Sequence, residues 1–435
     1  MSLMRPYRGL PLVTPYLIAL ASAGVLSHPR AQASSGSMIA VGVLPGRASS
    51  FVTGMSADGS TVVGTSSTAG VADASAYRWT RHSGILALPA PPGGGVTQAG
   101  TISGDGRVIW GTANGNPCRW IESNNPEILA LPGGWSSIVF TDASFDGGVV
   151  CGFANINGVA RAFRWSASGG FISLGTFQPA ESFRTSRAYA MSADGNLLFG
   201  DAEGREVEGP FRWTSASGME YLGKPPGALS ASLRCASDDG LFAAFSCTSF
   251  MTLPRAFRWQ SGAGMMELPV SPPVMYWVPH AMNGDGSVIV GDGPVNTGHR
   301  MVRWTPLEGL QDLHVYLPTV GIPMPQVDSP TGWSDLKLWE ISSDGLVMSG
   351  NGSLDGVKQG FVILLPSLHR VCASDLTDDG AVDDGDFVIF AGQYDLLICS
   401  TPAMPTCSAD LNADGYVDDG DFVLFVRAYE AIVCP

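Results

Sequence analysis

One phrase recurring seven times, four short strand-like runs in each recurrence, and an orphan run standing before the first predict an all-β fold. The expectation is a seven-bladed β-propeller of four-stranded antiparallel blades, with a small α-helical module after it. The phrase is Ser-x-Asp-Gly or a close variant, and its Asp-Gly pairs stand at 58–59, 105–106, 146–147, 194–195, 239–240, 285–286 and 344–345 of the 435 residues. Only 14% of residues are charged, against about 25% in ordinary domains, while 45% are apolar; disorder needs the reverse balance. The formal net charge of -15 and the lack of any basic run exclude a nucleic-acid-binding surface.

The chain opens on an address. Arg5 and Arg8 precede an apolar stretch from Leu10 to Leu26, and Ala31-Gln32-Ala33 follows. This is the pattern of a secretory signal peptide over residues 1–33. The apolar run contains Pro11 and Pro15 and falls short of the roughly 20 residues a membrane span wants. No later segment offers 18 consecutive apolar residues. The mature protein is therefore expected to be exported, extracellular or on a cell surface, without a transmembrane segment, and in a compartment that permits disulfides.

Residues 38–365 carry the blades. In Met55-Ser56-Ala57-Asp58-Gly59-Ser60-Thr61-Val62-Val63-Gly64 an Asp-Gly turn separates two β-prone runs, a strong hairpin signal. The third strand is Phe/Tyr-Arg-Trp or a variant: Tyr77-Arg78-Trp79, Cys118-Arg119-Trp120, Phe163-Arg164-Trp165, Phe211-Arg212-Trp213, Phe257-Arg258-Trp259 and Val302-Arg303-Trp304. Period-two alternation sets its aromatics on one face and Arg on the other. A short Gly-x-x-x-Leu run closes the unit, as in Gly84-Ile85-Leu86-Ala87-Leu88. The last unit lacks this fourth strand, whereas Ile39 to Leu44 is a strand without a unit. A ring hides its sheet edges when the one completes the other, so residues near 38 to 45 are expected to clasp the seventh blade.

The Leu-Pro-Gly, Ser-x-Asp-Gly-x-x-Val-x-Gly and Ala-Phe-Arg-Trp phrases resemble the extracellular HAF repeat of bacterial secreted proteins, a resemblance that implies architecture and no particular chemistry. Recurrence itself points to structure, because a catalytic group is needed once. The repeated Arg is expected to lie on a neighbouring aromatic ring, worth roughly 0.5 to 2 kcal/mol. The repeated Asp is expected to be a turn residue rather than a calcium ligand.

After a linker at 366–371, residues 372–435 change character: from Arg370 onward there are 13 acidic and 2 basic residues. Two segments, Asp375 to Val388 and Asp410 to Val423, align at an offset of 35. Oxygen-bearing side chains fall at loop positions 1, 3, 5, 9 and 12 with Gly at 6, the twelve-residue calcium loop. An apolar helix follows each loop (Phe387, Val388, Phe390, Tyr394; Phe422, Val423, Phe425, Tyr429). With one helix per loop and Asp at position 12, the module resembles a Cys-flanked dockerin type I pair. That resemblance implies two calcium ions held by Asp375, Thr377, Asp379, Asp383 and Asp386, and by Asp410, Asn412, Asp414, Asp418 and Asp421. Ala381 and Tyr416 stand at position 7, which lends its backbone carbonyl. Thr377 in place of Asn412 predicts the first site to be the weaker. The resemblance also implies a cohesin-like or other surface-anchoring partner, although positions 10 and 11 read Asp384-Gly385 and Asp419-Gly420 rather than hydroxyl residues.

Cys372, Cys399, Cys407 and Cys434 obey the same offset, and four cysteines allow three pairings. A helix of some 14 residues spans about 20 Å, too far for a bridge within one repeat. Antiparallel packing of the repeats leads to Cys372–Cys434 and Cys399–Cys407. Cys118, Cys151, Cys235 and Cys247 fall in propeller strands, as bridges or as buried thiols.

No HExxH, GxSxG, Walker A or CxxC motif occurs, and no catalytic residue is assigned. Unique function is expected in loops that break the repeat: Val315 to Lys337, with Tyr316, Asp328 and Trp333, and Pro272 to His280, with Tyr276 and Trp277. Aromatics there stack on sugars or proteins when exposed and plug blades when not. The favoured function is a secreted, non-catalytic propeller that binds glycan or protein and is displayed by its calcium module. The alternative is a tethered carbohydrate-active enzyme, hydrolase or lyase. It needs a non-repeated carboxylate pair in a cleft, and Glu181, Glu203, Glu206 and Glu208 are carboxylates outside the consensus that no spacing pairs.

Overall fold

The computed structural model describes residues 36–68, 73–177, 184–204, 207–249, 253–295, 298–324, 332–366, 376, 384–394, 409 and 417–431. Residues 33–370 form one compact unit and residues 371–435 fall in a second. The first is a seven-bladed propeller: seven antiparallel sheets of four strands each. In six sheets the strands follow chain order from the central channel outward. The seventh contains Trp333–Ile341, Val347–Leu354 and Val357–Leu364, and Ser37–Ala40 completes it by pairing Met38 with Ile363 and Ile39 with Val362. The clasp predicted from the orphan run is present.

The repeated phrase builds one turn seven times. Its Gly takes φ of +68° to +77° in every blade, a region that a side chain disfavours. The hydroxyl of Ser56, Ser103, Ser144, Ser192, Ser237 and Ser342 donates to the Asp two residues on. The same oxygen accepts the N–H five residues on. Asn283 does both with its amide. Backbone N–H and Ser hydroxyl bonds hold Asp146 below the usual carboxylate range. The Asp is thus a turn residue, with one carboxylate oxygen engaged in the turn of every blade.

The seven turns are joined in a circle, in six of the seven links from x residue to x residue. Ala57 N–H donates to Gly104, Asp105 to Phe145, Phe145 to Ala193, Ala193 to Asp238, Asp238 to Gly284, Gly284 to Ser343, and Ser343 back to Ala57, all between 2.7 and 3.1 Å. The hydrophobic cores lie between neighbouring blades; one joins Val63, Ala76 and Leu88 to Ile109, Cys118 and Trp120. The clasp is sealed the same way, with Val41, Leu44 and Val362 against Val52, Tyr77 and Trp79.

The Phe-Arg-Trp strands alternate as expected. Trp79, Trp120, Trp165, Trp213, Trp259 and Trp304 are buried. Arg119, Arg212 and Arg258 reach the Trp of the next blade, at 5.1 Å from Trp165, 5.8 Å from Trp259 and 5.8 Å from Trp304. Arg78 and Arg164 instead donate to the Thr61 hydroxyl and the Gly195 carbonyl.

The long Val315–Lys337 interval is partly structured. Helix α1 (Leu313–Thr319) starts where Asp312 caps the His314 N–H, and its Leu313 and Leu317 are buried. In the second unit, α2 (Asp384–Tyr394) and α3 (Asp419–Ala431) stack Phe390 on Phe425 at 4.8 Å around Ala409 and Val417.

Candidate functional site

Every innermost strand carries a β-bulge at the same place. Pairing skips one residue between Val52 and Gly54, Ala99 and Thr101, Phe140 and Asp142, Ala188 and Ala190, Leu233 and Cys235, Pro279 and Ala281, and Leu338 and Glu340. The skipped residues are Thr53, Gly100, Thr141, Tyr189, Arg234, His280 and Trp339, each five before the repeated Asp. All seven border one cavity of about 650 Å³ at the axis of the ring. A bulge leaves its extra residue outside the ladder and re-aims it.

The repeated Val-x-Gly explains how the strands tolerate this. A Cβ on Gly64, Gly111, Gly152, Gly200, Gly291 or Gly350 would stand within about 2 Å of an inner-strand carbonyl. Glycine lets the kinked strand close on its neighbour.

The seven side chains differ. Blades one to three offer Thr53, Gly100 and Thr141, with the two hydroxyls turned to backbone carbonyls. Blades four to seven offer a phenol, a guanidinium, an imidazole and an indole. Trp339 is 41% exposed, and the His280 ring lies 4.7 Å from it. His280 Nε2 bonds Asp292, whose other oxygen meets His299 Nδ1 at 3.0 Å.

Below this mouth lies a chamber of about 170 Å³ that reaches the circle of turns. The residues that follow the bulges line it: Gly54, Thr101, Asp142, Ala190, Cys235, Ala281 and Glu340. Glu340 borders both spaces. Burial pushes the Asp142 carboxyl up to about 7 against two N–H bonds, from Ala143 and Met191. Burial, then the charge of Asp142, pushes Glu340 to about 8. In blade four burial raises Asp201 to about 6, although it accepts bonds from Leu233 N–H and the Ser232 hydroxyl.

The residues expected to carry unique function lie elsewhere. Trp277 is fully buried, and Trp333 packs edge-on to Phe361 at 5.6 Å; both are blade plugs. Tyr316 lies under Arg303 and borders a separate cavity of about 380 Å³ with Pro272 and Pro273. Glu203 accepts the Thr185 N–H and faces Glu208 across a hairpin, away from the channel. Glu181, Glu206 and Asp328 lie outside the described residues. Asp142 and Glu340 were missed because they adjoin the repeated phrase; aligning the units on their Asp and reading the fourth and fifth columns before it finds both the pair and the bulged ring. Cys118, Cys151, Cys235 and Cys247 are free and buried.

Of the expected calcium ligands, Asp386, Asp418 and Asp421 are described. Asp386 and Asp421, the closing residue of each loop, are fully buried. Asp375, Thr377, Asp379, Ala381, Asp383, Asp410, Asn412, Asp414 and Tyr416 lie outside the described residues, as do Cys372, Cys399, Cys407 and Cys434.

Together these features define a β-propeller whose central channel differs chemically from blade to blade. Solved structures share the fold. An oligogalacturonate lyase from Vibrio parahaemolyticus is 13% identical, with 77% of this chain and 98% of that chain covered and a TM-score of 0.51. An oligogalacturonate lyase in complex with manganese is likewise 13% identical, covering 74% and 90% at 0.51. The propeller domain of the Trilobed protease from Pyrococcus furiosus is 8% identical, covering 73% and 94% at 0.48. At such identities the likeness is one of fold. No family model matches the chain, and no curated protein matches it.

Proposed function

We propose that this chain is an extracellular propeller that takes a glycan into the mouth of its channel and is held at a cell surface by a calcium-loaded, dockerin-like module. One observation carries the glycan reading. At the position where all seven backbones agree, four consecutive blades supply Tyr189, Arg234, His280 and Trp339 while the other three supply small residues. Aromatic faces stack on the apolar faces of sugar rings, and the guanidinium and imidazole serve hydroxyls. The test is retention of the calcium-saturated full-length chain in gels containing cellulose, xylan, mannan, pectin or chitin. Trp339→Ala should weaken retention about tenfold, one lost stacking contact of about 1.4 kcal/mol. Unchanged retention removes the channel as the site.

The calcium reading is supported by the paired loop pattern and by the burial of Asp386 and Asp421. Calorimetry should find two unequal sites, and EGTA should unfold the second unit. Two equal sites, or chelator-resistant folding, count against it. Export by residues 1–33, the Cys372–Cys434 and Cys399–Cys407 bridges, and a surface-anchoring partner of cohesin type belong to the same proposal.

A second reading, the tethered carbohydrate-active enzyme, is favoured by one specific feature: the non-repeated carboxylates Asp142 and Glu340 in a single chamber.

A further inference from the structure

We propose that Glu340 and Asp142 are an acid–base pair that hydrolyses a glycosidic bond of the glycan held in the channel, an inference that rests on the glycan-binding reading above. In the column after the bulge, blades three and seven carry carboxylates where the others carry Gly, Thr, Ala or Cys. These blades stand three apart one way round the ring and four the other. The two strands therefore face each other across the axis and both residues line the one chamber, the placement that two groups flanking one bond require.

The two surroundings differ in kind. Asp142 accepts N–H bonds from Ala143 at 2.8 Å and Met191 at 2.7 Å, which favour its ionised form. Glu340 has no hydrogen-bond or ion-pair partner among the described residues and feels Asp142 as a like charge. Enclosure raises both groups, and Glu340, which lacks the N–H bonds that Asp142 accepts, is the acid of the pair. The other charged groups facing the chamber do not reverse this. Asp238, on the fifth turn, adds to the rise of Asp142. Arg234 stands beside Asp201, and His280 is tied to Asp292.

Glu340 gives its proton to the glycosidic oxygen as the bond from that oxygen to the anomeric carbon breaks. Water supplies its oxygen to the anomeric carbon and one proton to Asp142. Solvent then returns a proton from Asp142 to Glu340. One glycosidic bond and one water become two hydroxyl-ended sugars, and nothing is oxidised or reduced.

The test incubates calcium-saturated full-length chain with each of the five polysaccharides and reads new reducing ends across about pH 4 to 9. Release is expected from a retained polysaccharide, with an optimum between the ranges of Asp142 and Glu340, about pH 7 to 8. Glu340→Gln should slow release by about 100-fold or more while the chain stays folded. Asp142→Asn should slow it and abolish the acid limb of the pH profile. Retention without release at any pH overturns this inference and leaves the binding reading standing. Release undiminished in Glu340→Gln overturns the assignment. No retention on any polysaccharide overturns the binding reading, and this one with it.

Discussion

At the scale of single residues, the Ser-x-Asp-Gly turn shows why a phrase this short is kept seven times. Each letter has one job that no neighbour can do: Ser bonds in two directions, Asp fixes the amide two residues on, and Gly supplies the left-handed backbone. Gly147 is one of the tightly constrained ones. Its φ is +68°, and a Cβ there would stand 2.5 Å from Val108 Cβ in the preceding blade. Gly147→Ala should therefore destabilise the propeller by more than about 1 kcal/mol, from backbone strain plus a clash. Urea unfolding measures it, and an unchanged midpoint would mean that the turn relaxes freely. These roles were legible because turn chemistry is local. The Arg contacts were legible only in outline, since which aromatic ring each guanidinium meets depends on the neighbouring blade.

At the scale of the strand, the bulge is the decisive element and the one that sequence conceals. A bulge changes pairing without requiring a particular residue at the extra position; Thr53, Gly100, Tyr189 and Trp339 all occupy it. Its trace lies across the ladder, in the glycines that must admit a carbonyl. Blade five shows that the trace is imperfect, because Phe245 stands where the others have Gly. Departures from the consensus led to Glu203 and Glu208, whereas the channel carboxylates hide one residue from the best-kept phrase. The clasp was legible because it is a matter of counting strands. Deleting residues 34–46 removes Ser37–Ala40 and the buried Val41 and Leu44, exposing the edge of Val357–Leu364. Full burial of two such side chains is worth about 3 to 6 kcal/mol, so the melting temperature should fall by several degrees or more. An unaltered melt would show that the seventh sheet stands without its fourth strand.

At the scale of the whole molecule, two populations of carboxylate oppose each other. Asp142, Glu340 and Asp201 keep their protons to higher pH in the folded chain than in the unfolded one. The folded state thus binds more protons between about pH 4 and 8, and stability must fall as pH rises through that window. The turn carboxylates Asp58, Asp146, Asp194 and Asp285 are lowered, so their contribution is present above the ordinary carboxylate range and lost as pH falls through it. At saturating calcium the urea midpoint should be higher at about pH 5 than at about pH 8, and Glu340→Gln should flatten the slope. Equal midpoints would mean that the channel carboxyls are solvated like ordinary ones. None of this was visible in composition, because the net charge of -15 counts a buried acid and an exposed one alike.

The circle of amides between the turns has a consequence for lineage as much as for stability. Each turn lends one donor and borrows one acceptor, so the books balance for any whole number of units and fail for a fraction. A gene that gained or lost one complete copy could re-close its hoop; one that lost half a copy could not.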